Sequence, residues 1–278
     1  MEIYMKCHYR TIFLSDVHLG TAGCHADALK DFLKRFGAEH IVFVGDIIDF
    51  WALRRRIYFP QSHIDVVRLI LKLSSKGEKL EGGERGVPTR ITYVPGNHDE
   101  VIRKFLLPMT LGNITIVNDF VLELADGRKM LVIHGDIFDQ VMKYAKWLAL
   151  AGDIGYTVLL RANTWVNFCR RRVGYPYWSL SAFVKGAVKS AVNFIGKYEE
   201  TLEAEARSRG VDGVICGHIH HAGLRKTEHG FVYANCGDWV ESMTSIVEHH
   251  DGTLELLRWM DIVPAADGTV PLALEEAA

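Results

Sequence analysis

The sequence predicts an α/β protein of mixed sheets covered by helices, and three observations carry that expectation. Short apolar, β-branched runs recur and each stops abruptly at a polar cluster. Segments of helical period lie between the first of these runs, giving a β-α-β order early in the chain. Later runs follow one another across short turns. With 278 residues, 49% of them hydrophobic, the chain can bury the core of one large domain or two small ones, which excludes disorder over its whole length.

The first run, Thr11–Leu14, ends at Ser15-Asp16 and is followed by a helix over Ala26–Gly37. Ile41–Val44 ends at Gly45-Asp46, and a second helix covers Ser62–Lys76. Ile91–Val94 ends at Pro95-Gly96-Asn97; Ile114–Val117 and Val121–Leu124 come next, then Met130–Ile133 before His134-Gly135-Asp136. Val214–Cys216 ends at Gly217-His218, and Phe231–Ala234 and Ser245–Glu248 close the series. These are buried strands that deliver their loops to one edge of a sheet.

Residues 140–198 differ from their surroundings. Nine basic residues (Lys143, Lys146, Arg161, Arg170, Arg171, Arg172, Lys185, Lys189 and Lys197) face Asp153 alone, so a formal chain charge of -2 resolves into +8 here and -10 elsewhere. Trp147, Trp165 and Trp178 share the segment with Phe168, Phe183 and Phe194, and apolar residues recur at three- and four-residue spacing. The segment reads as a basic, aromatic helical insertion or lid in a core made of 1–139 and 199–265, with 266–278 a loose tail. Nucleic acid is not an expected partner, because the positive charge sits in one helical insertion without a stacking motif. Five scattered cysteines without a CxxC pair indicate neither a disulfide framework nor a zinc ribbon. Met1–Arg10 has no continuous apolar run, and Trp147–Leu160 is too short and too interrupted to span a bilayer. A cytoplasmic protein is expected, soluble or peripheral on the inner face of the membrane.

Chemistry concentrates where the strands end. Asp16-Val17-His18 pairs a carboxylate with an imidazole at i and i+2, a spacing that puts both on one face of an extended strand end. Gly45-Asp46-Ile47-Ile48-Asp49 supplies a carboxylate able to bridge two cations, or, read structurally, a helix N-cap. Gly96-Asn97-His98-Asp99 adds a hard amide oxygen, an ionisable imidazole and an orienting carboxylate. His134-Gly135-Asp136 and Gly217-His218-Ile219-His220 add further imidazoles, while His25 and His221 are read as solvated. Asp, Asn and His donors without thiolates suit Mn²⁺, Fe²⁺, Zn²⁺ or Mg²⁺.

Taken in order, these five clusters resemble the motifs of the calcineurin-like metallophosphoesterases over about residues 11–250. The resemblance implies a four-layer α/β/β/α sandwich and two divalent metal ions, Mn²⁺ foremost. It assigns Asp16, His18, Asp46 and His220 to one metal and Asp46, Asn97, His134 and His218 to the other. It also implies a metal-bridging hydroxide as nucleophile, His98 as the group that donates to the phosphoryl oxygen or protonates the leaving group, and Asp99 as its orienter. Gly45-Asp46-Ile47-Ile48-Asp49-Phe50-Trp51, Gly237-Asp238-Trp239 and the long insertion are similar to the UDP-2,3-diacylglucosamine diphosphatase group, whose best-known members carry Arg where this chain has His98.

Three functions fit these readings. The first is a two-metal pyrophosphatase of a nucleotide-linked lipid or sugar, acting in lipid A synthesis. In that case Arg170, Arg171 and Arg172 bind the anionic headgroup, and the basic lid rests on an anionic membrane. The second is a phosphoesterase of soluble nucleotides or phosphodiesters. The third is a catalytically idle scaffold, which sits poorly with a full set of competent donors.

Overall fold

The computed structural model describes residues 7–76, 87–106, 109–138 and 195–262. The chain falls into two compact units, 1–136 with 205–278, and 137–204. Of the predicted insertion only 195–198 is among the described residues, and the tail 266–278 lies outside them.

Two sheets build the first unit. In sheet 1, β1 (Cys7–Leu14), β2 (Phe36–Val44), β3 (Arg90–Val94) and β5 (Ile114–Ile116) run parallel, with β4 (Met109–Leu111) antiparallel to β5 at one side and, at the other, β11 (Thr244–Glu248) antiparallel to β1 and β12 (Leu254–Arg258) antiparallel to β11. In sheet 2, β7 (Lys129–Ile133), β8 (Gly213–Cys216) and β10 (Val232–Asn235) are parallel, flanked by antiparallel β6 (Asp119–Glu123) and β9 (Gly223–Lys226).

Period-two patterning decides which face each residue takes. Phe13, Val42, Val44, Val94 and Ile246 point from sheet 1 into a shared core with Met130, Val132, Ile215, Val232 and Ala234 of sheet 2. Their neighbours Ile12, Leu14, Ile41 and Phe43 point the other way, into a core closed by α1 (Ala26–Arg35) and α3 (Gln61–Lys76). Leu29, Phe32 and Leu33 of α1 are buried there at i, i+3 and i+4, one stripe of the helix. A helix over 195–208 ends beside sheet 2, where the Arg207 guanidinium lies 5.2 Å from the centre of the Phe231 ring. The layers are α/β/β/α, as the resemblance implies.

The element boundaries differ from the expectation in two places. The first helix stops at Arg35 rather than Gly37, and β2 begins at once, because pairing of Cys7 with Phe36 extends the parallel ladder past its apolar centre. The successive runs Ile114–Val117 and Val121–Leu124 belong to different sheets, and so do Phe231–Ala234 and Ser245–Glu248. Their short connections are crossings between layers. A local pattern of alternation fixes a strand's face without fixing its partner.

His40 in β2 is a buried polar residue remote from these strand ends. Its Nδ1 accepts from Arg90 Nη2 at 3.1 Å, so Nε2 carries the ring proton, which it donates to Thr92 Oγ1 at 2.8 Å. Burial, and then Arg90 and Arg10, bring its pKa down to about 3. The unfolded chain therefore binds this proton first as pH falls from neutrality, so the neutral ring's contribution is complete above about pH 6.5 and disappears toward pH 3. Urea melts should show a loss of roughly 2 kcal/mol from this group between about pH 7 and pH 5, and His40→Gln should flatten that slope.

Candidate metal centre

The loops after β1, β2, β3, β7 and β8 meet at one edge of the two sheets, and they turn sharply there. Asp16 (φ 50°), His18 (φ 54°), Asp46 (φ 55°), His218 (φ 73°) and His220 (φ 52°) all lie in the left-handed region. Each costs an L-residue on the order of 1–3 kcal/mol, which must be supplied by the surroundings. Backbone hydrogen bonds between loops supply it: Asp16 N to Gly45 O (3.0 Å), His18 N to Asp46 O (2.9 Å) and Trp239 N to Asp16 O (3.0 Å). The extended i, i+2 geometry expected for Asp16/His18 and His218/His220 is therefore replaced by tight left-handed turns, and the two pairs fare differently. Asp16 and His18 stay together, whereas His218 and His220 face different donor groups.

Three donor groups form. Asp16, His18 and His220 make one, Asp46, His134 and His218 a second, and His18, Asp46 and His98 a third that joins them. His220 Nε2 is 3.3 Å and His18 Nε2 is 3.9 Å from Asp16 Oδ1, and His134 Nε2 is 3.4 Å from Asp46 Oδ2. Asp16, Asp46, His134 and His218 are almost wholly buried. Each carboxylate uses one oxygen on protein: Asp16 Oδ2 accepts from His218 N and Asp46 Oδ1 from His98 N, both at 2.8 Å. His134 Nδ1 donates to Val44 O at 2.7 Å, which turns Nε2 inward.

Divalent cations fit this arrangement. Asp16 Oδ1, His18 Nε2 and Asn97 Oδ1 are buried atoms without a hydrogen-bond partner, an expensive state that a cation relieves. A Cβ on Gly96 would strike Asp46 Oδ1 and His134 Nε2, and one on Gly217 would strike Ser15 Oγ and Asp16 Oδ2, so both glycines are needed for the backbone to close on the donors. The field points the same way. Burial opposes charge on His134, yet Asp46, Asp16 and Asp136 outweigh it and push its pKa up to about 10, the mark of a pocket that favours a cation.

The structure places the orienting carboxylate of His98 elsewhere than the sequence suggests. Asp99 is fully buried and does not bond the imidazole: its oxygens accept from Gly96 N, Ile47 N (2.9 Å) and the Tyr93 hydroxyl, tying the Asn97 loop to the Asp46 loop. Asp49 takes the expected role, with Oδ2 2.9 Å from His98 Nδ1 and 3.1 Å from His18 Nδ1. Its other oxygen caps α2 (Phe50–Arg55), accepting from Ala52 N at 2.7 Å, so the N-cap expected of this cluster falls on Asp49. Burial raises the Asp49 pKa, but the His18, His98 and Ala52 N–H groups overcome it and hold the carboxyl well below its ordinary range. The signal was present in the Gly45-Asp46-x-x-Asp49 spacing. Asp136 is not in the donor groups; Arg103 binds it through Nη1 (2.9 Å) and Nη2 (3.1 Å) and also reaches Pro95 O, joining two loops. The Trp51 ring lies 4.3 Å from that of His98. His25 and His221 are exposed, and Arg170, Arg171 and Arg172 lie outside the described residues.

Paired cations that clamp attacking and leaving oxygens are the apparatus of metal-dependent phosphoester hydrolases. The calcineurin-like phosphoesterase family model matches residues 9–222, and the chain belongs to that family. A UDP-2,3-diacylglucosamine hydrolase of Ralstonia nicotianae is 25% identical over 256 residues, covering 87% of this chain and 90% of that protein. One from Blochmanniella pennsylvanica is 22% identical over 77% of this chain and 80% of its own. Among solved structures, Vps29 of Chaetomium thermophilum aligns with a TM-score of 0.44 at 10% identity, covering 94% of this chain and 92% of that one.

Gly96→Ala fills the space between Asp46 and His134. The variant should lose at least tenfold in Mn²⁺ affinity by equilibrium dialysis while keeping a folded circular dichroism spectrum. Unchanged affinity would remove these donors from the metal site.

Proposed function

We propose that this phosphoesterase hydrolyses the pyrophosphate of a UDP-linked diacylated glucosamine, a reaction of lipid A synthesis. Cleavage with water gives UMP and the acylated sugar phosphate. The observation that carries the chemistry is the meeting of the Asp16, His18, His220 and Asp46, His134, His218 groups beneath an imidazole held by Asp49. The substrate is supported by the Ralstonia relative, similar along nearly its whole length.

Asp16, His18, Asp46 and His220 would hold one cation, and Asp46, Asn97, His134 and His218 the other, with Mn²⁺ the ion we assign. When bound, such a pair supplies Lewis acidity that brings the pKa of water toward neutrality and neutralises charge on a phosphoryl group. The protein's own groups do the rest. The Asp49 carboxylate lies 2.9 Å from His98 Nδ1 and steadies the ring, and the imidazole would deliver a proton to the phosphoryl oxygen or the leaving oxygen. The His98 amide fastened to Asp46 Oδ1 keeps that imidazole in register with the shared carboxylate. Asp99 acts on the loops alone. In this reading Arg170, Arg171 and Arg172 contact the anionic headgroup.

Chelation should abolish hydrolysis of the acylated UDP-sugar, and Mn²⁺ should restore it, with UMP identified by mass spectrometry. His98→Gln should lower kcat roughly 10²–10⁴-fold with KM little changed. Cleavage of bis(p-nitrophenyl) phosphate without cleavage of the acylated UDP-sugar would transfer the assignment to soluble phosphodiesters.

A further inference from the structure

The segment that begins at the Trp51 contact with His98 continues into an exposed basic run outside the donor groups. After Trp51, 42% exposed, come Arg54, Arg55, Arg56, Ile57 and Tyr58, all exposed; Ile57 is 88% exposed and Tyr58 40%. Among the described residues, none of the three arginines forms an ion pair. On α1 and α3, by contrast, Lys30 pairs with Asp27 and Asp65, Lys34 with Asp31, and Arg68 with Asp65. The run is nevertheless built. Arg56 N bonds Ala52 O (3.0 Å), His63 N bonds Pro60 O (3.0 Å), and the rings of Tyr58 and Phe59 stand edge-on to the buried His63 ring at 5.8 and 5.4 Å. A fixed loop that carries three unpaired cations beside an aliphatic and two aromatic side chains exposed to water has the chemistry of an interfacial anchor: guanidinium groups for lipid phosphates, and Trp, Tyr and Ile for the headgroup–acyl boundary.

We propose that the Arg54–Tyr58 run docks on an anionic bilayer surface, with Trp51 linking that surface to the imidazole. Charge complementarity selects this occupant, since a soluble small anion has no use for Ile57. The inference goes beyond the substrate assignment and does not depend on it, because docking is measured without turnover.

The test is cosedimentation of the full chain with phosphatidylglycerol-containing vesicles and with pure phosphatidylcholine vesicles, at low and high salt. Each arginine near an anionic leaflet contributes about fivefold in partitioning, so the wild type should prefer the anionic vesicles, and R54Q/R55Q/R56Q should lose on the order of a hundredfold of that binding. Ile57→Asp, on a side chain 88% exposed, should lose binding at high salt as well. Both variants should hydrolyse bis(p-nitrophenyl) phosphate at the wild-type rate, which also shows that they fold. Vesicle binding unchanged in the triple variant overturns the proposal, even if the basic insertion binds membrane on its own. So does a raised KM for the soluble diester with docking intact, which would make the run a substrate contact, or tighter binding to single-stranded nucleic acid than to the vesicles.

Discussion

Three carboxylates that bond the backbone of another loop hold this site in shape. Asp16 binds the His218 amide, Asp46 the His98 amide, and Asp99 the Ile47 amide. Charge-assisted bonds of this kind are among the stronger ones available to a protein, and in a buried setting they also satisfy N–H groups that would otherwise be orphaned. Together with the backbone bonds between loops, they hold five residues in left-handed backbone whose combined strain, roughly 5–15 kcal/mol, is as large as the net stability of a whole domain. Without them the loops would relax and the donors would part.

The same bonds sort the carboxylate oxygens. One oxygen of Asp16 and of Asp46 is committed to protein, so the other is free for the centre, and the imidazoles are aimed by Val44 O and Asp49 in a similar way. Preorganisation thus comes from backbone atoms and carboxylates on the ends of parallel strands, elements that are themselves buried on both faces and have little room to move.

Much of this is legible in the sequence. The strand runs and the polar residues that end them locate the site edge, because a buried parallel strand has a continuous apolar signature and only its exit can be polar. Backbone handedness was not legible: nothing in Asp16-Val17-His18 announces positive φ, since the conformation is imposed by Gly45 O and Asp46 O from a loop some thirty residues away. The partner of the His98 ring is hidden for the same reason. Adjacency in sequence suggested Asp99 as the partner of His98, but the tight turn of residues 97–99 sends the Asp99 side chain under the loop while α2 brings Asp49 alongside the ring. The pairing of late strands was lost because alternation carries a face and not a neighbour.

Asp49 ends as a mechanical hinge pin. One oxygen anchors the first turn of a six-residue helix and the other steadies an imidazole, so the helix cannot unwind at its start without releasing the ring. Six residues are too few to be helical without such a cap. Order in the first turn of α2 and the position of the His98 ring are therefore coupled through one carboxylate.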